Sequence, residues 1–117
     1  MAKPLLADFF SSIHDCIEGQ TNITAHLRFA HAETIIPFAT LLQIPGLADQ
    51  SVNATNIYTY ENNQWRGDQV APMAANIQWE IYQHEDHSKP ILIRMLYNEM
   101  EMKFKQDCQS ITPNSFH

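Results

Sequence analysis

A histidine and a glutamate stand two positions apart in the segment Arg28-Phe-Ala-His31-Ala-Glu33-Thr34. An imidazole can donate hydrogen bonds to phosphate oxygens, and a carboxyl group that is held protonated can give its proton to a departing alkoxide. This pair therefore has the groups needed for general acid catalysis on a phosphate ester. A histidine near a glutamate is more often a surface pair or a helix cap, so the residue types alone leave both interpretations open.

The residues around the pair predict a strand, a short turn and a helix. The run Thr24–Ala30 alternates poorly but is bounded by a polar turn, and Ala25, Leu27 and Phe29 share one face as a strand would place them, which predicts a strand. After His31 the period changes to that of a helix. The helical stripe consists of Ile35, Ile36, Phe38, Ala39, Leu41 and Leu42. Ligands of open α/β sheets bind at the carboxyl ends of strands, and helix N-termini present unpaired N–H groups to anions, so a phosphate site is expected at this junction.

Helical spacing also recurs between Pro4 and Glu18, and Gly19 is expected to end that helix. Pro37 is compatible with the helix after His31 if it lies in the first turn, where its missing N–H has no intrahelical partner. Residues 45–67 are rich in Asn, Gln, Thr and Gly, which predicts a long connecting region. The tail from Met100 onward has no periodicity.

Two strands are predicted in the second half of the chain. Residues 77–82 alternate between apolar and polar side chains, and residues 91–97 are almost continuously apolar. The polar turn at residues 84–90 between them predicts an antiparallel β-hairpin. The fold class expected from these elements is α/β.

Length and charge limit the possible functions. With 117 residues, of which 44% are hydrophobic, the chain can form one small domain. Its net charge of −6 repels polyphosphate backbones, so nucleic acid is not expected as a partner. No apolar run approaches the roughly 20 residues that a membrane span requires, and residues 1–7 hold no apolar run long enough for a signal peptide.

The sequence predicts no metal site. Cys16 and Cys108 lack the spacing of zinc ligands, and they could be free thiols, a disulfide or halves of bridges to other sequence. The run His84-Glu85-Asp86-His87 falls in the predicted turn, where a solvated charged loop is the better interpretation. His14 and His26 are expected to be partly buried structural residues. Arg66 and Arg94 could hold a polyanion, but nothing in the sequence directs them toward the pair.

Residues 27–42, LRFAHAETIIPFATLL, are very similar to the H-A-E-T segment of the multiple inositol polyphosphate phosphatases, a branch of the histidine acid phosphatases that includes phytases. A second block, Trp-Arg-Gly at 65–67 followed by VAPMAANIQWEIYQHED, resembles the same family. Its matching positions are Pro72, Asn76 and Tyr82. A third block, ILIRMLYNEMEM, resembles the family's strand that ends in Asn-Glu and places Asn98 and Glu99 at the match.

The resemblance implies a two-step phosphomonoesterase that forms a phosphohistidine, with inositol polyphosphates as substrates and no cofactor. By motif, His31 would bind the transferring phosphoryl group and Glu33 would protonate the leaving inositol oxygen. The wider family usually has an Asp next to the His, so the inserted Ala and the Glu favour the inositol polyphosphate branch. The implied fold is the C-terminal portion of a phosphoglycerate mutase-like α/β domain, with residues 1–117 as a partial histidine acid phosphatase domain.

The sequence departs from the family at its nucleophile. The family's R-H-G-x-R-x-P segment does not occur, so the chain is expected to be a C-terminal fragment whose partner is the missing upstream part of the same polypeptide. The alternative is a truncated, non-catalytic relative that binds phosphate or serves as an interaction module. The resemblance also implies a secreted, periplasmic or endoplasmic reticulum luminal location, and a cysteine bridge from Cys108 to sequence further on.

Overall fold

The computed structural model describes residues 2–45, 55, 57, 59–63, 65–104 and 107–111. Its helices are α1 (Ala2–Ile17), α2 (Ala32–Leu41) and α3 (Gly67–Val70), and its strands are β1 (Ile77–Tyr82), β2 (Leu92–Tyr97) and β3 (Met100–Met102). The strands form one antiparallel sheet in the order β1-β2-β3. The mixed helix and sheet content confirms the predicted class.

The first helix forms and ends as its sequence predicts. Gly19 has a φ of +66° just beyond the end of α1, a conformation that glycine adopts without steric cost. Its N–H donates to the carbonyl of Cys16, and the N–H of Gln20 donates to the carbonyl of Asp15. These two bonds are those of a Schellman cap, which satisfies carbonyls left over at a helix C-terminus.

The predicted hairpin is confirmed, and the chain then adds a strand that the sequence analysis missed. Ile77 pairs with Tyr97, and Tyr97 in turn pairs with Met100 of β3. Asn98 and Glu99 between the last two strands have φ values of 47° and 65°. Two successive left-handed residues make the kind of turn that matches the twist of an antiparallel pair, although glycine is more usual at the second position.

The core lies between the helices and one face of the sheet. Buried residues of α2 and the turn after it, Phe38, Ala39, Leu42 and Ile44, cluster with Met95 and Tyr97 of β2. Phe9 of α1 extends this cluster, because its ring lies 5.2 Å from the rings of both Phe38 and Trp79. Alternate residues of β1 and β2 therefore point into the core, as their two-residue period requires.

The predicted strand over residues 24–30 is not formed. This segment is irregular, and the side chains of Leu27 and Phe29 are 72% and 93% exposed. A strand needs a neighbour for its backbone N–H and C=O groups, and none of the strands in the described part of the chain lies beside this segment. The alternating pattern is present, but the partner that would turn it into a strand is not among β1, β2 and β3.

The face of the sheet opposite the helices carries an ion pair. Glu80 of β1 lies directly across from Arg94 of β2 and accepts a hydrogen bond of 2.8 Å from its Nε. Tyr82 donates a further bond of 2.7 Å to Glu80. The hydrogen bonds from Tyr82 and Arg94 hold the pKa of the Glu80 carboxyl below its usual value of 4.5.

Among the helices in the described part of the chain, none has the length and apolar character that a membrane span requires.

Glu80→Gln should destabilise the chain in a pH-dependent way. A lowered folded-state pKa stabilises the fold above the usual value of 4.5, and this contribution disappears as the pH falls through the lowered value. The difference in free energy of unfolding between wild type and Glu80→Gln should therefore be constant near neutral pH and shrink below about pH 4.5. Urea unfolding across this range measures it.

Glu85→Gln, at an exposed carboxylate in the turn between β1 and β2, is the control and should show little of this dependence. A Glu80→Gln difference that grows as the pH falls would contradict the assigned ion pair.

Candidate active site

His31 occupies the N-cap position of α2. Its φ of −115° and ψ of 175° are extended, and its side chain makes no capping hydrogen bond. Its carbonyl accepts from the N–H groups of Thr34 and Ile35, which starts the helix. Ser, Thr, Asp and Asn are the residues that normally cap a helix at this position. His31 thus holds a position that another residue type would fill better for stability alone.

Glu33 is the second residue of α2, and its side chain is exposed, as is that of His31. Within the described residues neither side chain has a hydrogen-bond or ion-pair partner. The first N–H groups of a helix lack an intrahelical acceptor, so those of Ala32 and Glu33 also point outward. The backbone donors and the two exposed side chains therefore all belong to the first turn of α2 and its N-cap, where an anion is favoured.

Pro37 is the sixth residue of α2, so the expectation that it lies in the first turn is wrong. A proline at this position cannot donate to the carbonyl four residues earlier, which belongs to Glu33. The helix nevertheless continues to Leu41 because Phe38 and Ala39, which follow the proline, are buried in the core. The free energy gained by packing the second half of α2 thus exceeds the cost of losing the hydrogen bond to the Glu33 carbonyl.

The three matched polar positions Asn76, Asn98 and Glu99 come together at the turn between β2 and β3. The side-chain amide of Asn76 donates to Glu99 Oε1 at 2.7 Å, and its backbone N–H donates to Asn98 Oδ1 at 3.1 Å. The N–H of Asn98 donates back to the carbonyl of Asn76. These bonds fix the turn and the start of β1, and none of them reaches the pair at the start of α2.

The two arginines considered as substrate ligands have structural partners. Arg66 donates to the carbonyls of Tyr60 and Trp65 at 2.9 Å and lies 3.7 Å from the centre of the Tyr60 ring. Arg94 is paired with Glu80. Both guanidinium groups are thus used within the fold, and in the described structure neither contacts His31 or Glu33.

None of the other histidines in the described part of the chain contacts His31 or Glu33. His14 and His26 are exposed, so the expectation of partial burial is wrong, although His26 Nδ1 lies 3.0 Å from Ser12 Oγ. His84 Nδ1 accepts from the N–H of Asp86 at 2.9 Å within the turn between β1 and β2. Among the described residues, no group of three His, Cys, Asp or Glu side chains could hold a metal ion. Cys16 and Cys108 are not bridged to each other.

The chain is similar to proteins of one known family. The family model of branch 2 of the histidine phosphatase superfamily matches residues 1–98. The chain is 32% identical to multiple inositol polyphosphate phosphatase 1 of Dictyostelium discoideum over 83 residues, which are 71% of this chain and 13% of that protein.

Crystal structures of the Bifidobacterium longum multiple inositol polyphosphate phosphatase are also similar. The apo form is 43% identical with a TM-score of 0.81, and the complex with inositol hexasulfate is 44% identical with a TM-score of 0.79. Each similarity covers 98% of this chain and 24% of the solved chain. The chain thus spans about a quarter of the length of these structures and less of the curated relative.

Replacing His31 should leave stability unchanged or improve it. His31→Ala should change the free energy of unfolding by less than about 0.5 kcal/mol, because the side chain is exposed and has no partner among the described residues. His31→Ser should raise it by about 0.5–1 kcal/mol, because a serine in this extended conformation can cap α2.

Urea unfolding measures both changes. Phe38→Ala is the reference for a structural residue of the same helix and should cost about 3–5 kcal/mol. A loss above about 1 kcal/mol in His31→Ala would show that the imidazole stabilises the fold after all.

Proposed function

The chain belongs to branch 2 of the histidine phosphatase superfamily, and we propose that it supplies the proton-donor segment of a phosphatase that acts on inositol polyphosphates. The observation that carries the proposal is the exposed pair His31 and Glu33 at the start of α2, which is free of partners within the described residues and lies in the H-A-E-T motif. The attacking histidine would come from the longer polypeptide to which the segment belongs, because no R-H-G-x-R-x-P motif occurs in these 117 residues.

In the proposed mechanism, His31 donates a hydrogen bond to a non-bridging oxygen of the phosphoryl group. The outward N–H groups of Ala32 and Glu33 add two donors where negative charge accumulates in the transition state. The attacking histidine forms a bond to phosphorus while the bond from phosphorus to the inositol oxygen breaks. Glu33, protonated at the start, gives its proton to that oxygen, so the oxygen leaves as an uncharged hydroxyl group of the inositol.

The second half-reaction regenerates the site. Glu33 is now a carboxylate and accepts a proton from water as the water oxygen attacks the phosphohistidine. The histidine leaves with its electron pair, and inorganic phosphate is released. His31 contacts the same phosphoryl oxygens in both steps, and no metal or organic cofactor takes part in the proposed scheme.

Glu33→Gln tests the donor role in the complete natural polypeptide that carries this segment. Glutamine keeps the shape of the side chain but has no acidic proton, so turnover of inositol hexakisphosphate should fall by about two to four orders of magnitude. With p-nitrophenyl phosphate the rate of the first step should fall far less, because p-nitrophenolate is a stable leaving group without protonation. Release of the leaving group under single-turnover conditions, as p-nitrophenol or as the inositol product, reports the first step alone and separates the two substrates.

Glu85→Gln is the matched control, since it makes the same substitution at an exposed residue on the turn between β1 and β2. Equal losses with both substrates in Glu33→Gln, or unchanged turnover of inositol hexakisphosphate, would contradict Glu33 as proton donor.

A second candidate function is favoured by the missing R-H-G-x-R-x-P motif. If the natural product is only as long as this chain, it would bind phosphate or a partner without hydrolysis. The mass of the native polypeptide, determined through the peptide that spans residues 29–42, separates the two proposals. A mass far above 13.5 kDa supports the phosphatase, whereas a mass near 13.5 kDa supports the non-catalytic protein.

We also propose a secreted, periplasmic or endoplasmic reticulum luminal location, on the basis of the resemblance to the family. Fractionation of source cells tests this location. Recovery of the polypeptide in the cytosolic fraction would contradict it.

A further inference from the structure

We infer that Arg28 is a positioning residue for the proton donor, because its guanidinium group fastens the segment that ends at His31 to α1. The inference rests on the proposed function of His31 and Glu33 and adds a residue that touches neither the substrate nor the reacting atoms. It concerns the orientation of the pair, which has no fixed partner of its own within the described residues.

The contacts of Arg28 span one turn of α1. Its Nε donates to Asp8 Oδ2, and its Nη2 donates to Ser12 Oγ at 2.7 Å. The guanidinium carbon lies 4.6 Å from the centre of the Phe9 ring, so the group is also stacked on an aromatic face. The side chain of Arg28 is only 20% exposed. An arginine held by two acceptors and a ring has little freedom to move.

The segment before His31 has few other attachments. Residues 24–31 lie in no helix or strand, and the apolar side chains of Leu27 and Phe29 project into solvent. In the described structure, every hydrogen bond between residues 24–30 and α1 involves the side chain of His26 or Arg28. Arg28 makes most of these bonds, and it stands three residues before the N-cap of α2.

The start of α2 therefore depends on this attachment for its orientation. The helix is anchored in the core by Phe38 and Ala39 near its other end, and Pro37 removes the hydrogen bond to the Glu33 carbonyl. If the segment before His31 moved relative to α1, His31 and Glu33 would move with it. A displacement of about 1 Å at a catalytic group can cost about 100-fold in rate.

Lysine cannot replace this arginine. Asp8 and Ser12 are four residues apart on α1 and so lie on one face of the helix. The planar fork of guanidinium reaches both acceptors while lying over Phe9, whereas an ammonium group is a point charge that cannot do all three. Arg28→Lys therefore keeps the positive charge but removes the planar group that can reach Asp8 and Ser12 at the same time.

The test compares two substrates in the complete natural polypeptide. Under single-turnover conditions, Arg28→Lys should slow release of the inositol product from inositol hexakisphosphate by about 10-fold to 100-fold, because the proton donor is misplaced. It should slow release of p-nitrophenol from p-nitrophenyl phosphate far less, because that leaving group does not need the proton. A residue that merely supports the fold would lower both rates together, so equal losses would overturn the inference.

Two further variants keep the test decisive. Arg94→Lys makes the same substitution at another carboxylate-paired arginine and should not separate the substrates. Ser12→Ala removes one acceptor of Arg28 with a smaller disturbance and should reproduce the selective loss in weaker form, even if Arg28→Lys fails to fold. A Ser12→Ala variant with no selective loss, or an Arg94→Lys variant with the same loss, would overturn the role of Arg28.

The outcomes distinguish this inference from the proposed function. If Glu33→Gln is selective for inositol hexakisphosphate and Arg28→Lys is not, the donor assignment stands and the positioning role is wrong. If Glu33→Gln is not selective, or wild type hydrolyses neither substrate, the proposed function fails and the inference fails with it.

Discussion

The packing of the second half of α2 is the constraint on which the candidate site depends. Phe38 and Ala39 are buried in one cluster with Met95 and Tyr97 of β2, whereas His31, about two turns away, lies at the surface. A helix held in a close-packed core cannot shift without opening cavities. The packed half therefore anchors α2, and the molecule can place unpartnered polar groups at the exposed N-terminus without losing the fold.

Electrostatics explains why a polyanionic substrate would need more than this chain. All three arginines serve the fold: Arg28 binds Asp8 and Ser12, Arg66 binds backbone carbonyls, and Arg94 binds Glu80. The net charge is −6, so the field of the chain as a whole repels phosphate groups. In the proposed function, the donors at the start of α2 would bind one phosphoryl group, and cations of the longer polypeptide would balance the charge of the remaining phosphate groups.

Much of the fold could be predicted because it is encoded by local periodicity. The helical stripe of α1, its end at Gly19 and the hairpin of β1 and β2 all follow from residues close together in sequence. The failures have a different origin. Residues 24–30 alternate like a strand but lack a partner among the described strands, and β3 forms because the turn at Asn98 brings three residues back against β2. A segment forms a strand when another strand pairs with its backbone, and an alternating hydrophobic pattern alone is not enough.

The sequence by itself determined which groups could do chemistry: the types and spacing of His31 and Glu33, the change to helical period after them, and the motif that resembles a phosphatase family. Only the tertiary structure decided that His31 caps α2 without a capping bond, that Pro37 lies beyond the first turn and that Arg28 reaches Asp8 and Ser12. The physical reason is distance along the chain. Periodicity is fixed by neighbours, whereas an ion pair between residues 20 apart exists only after the chain has folded.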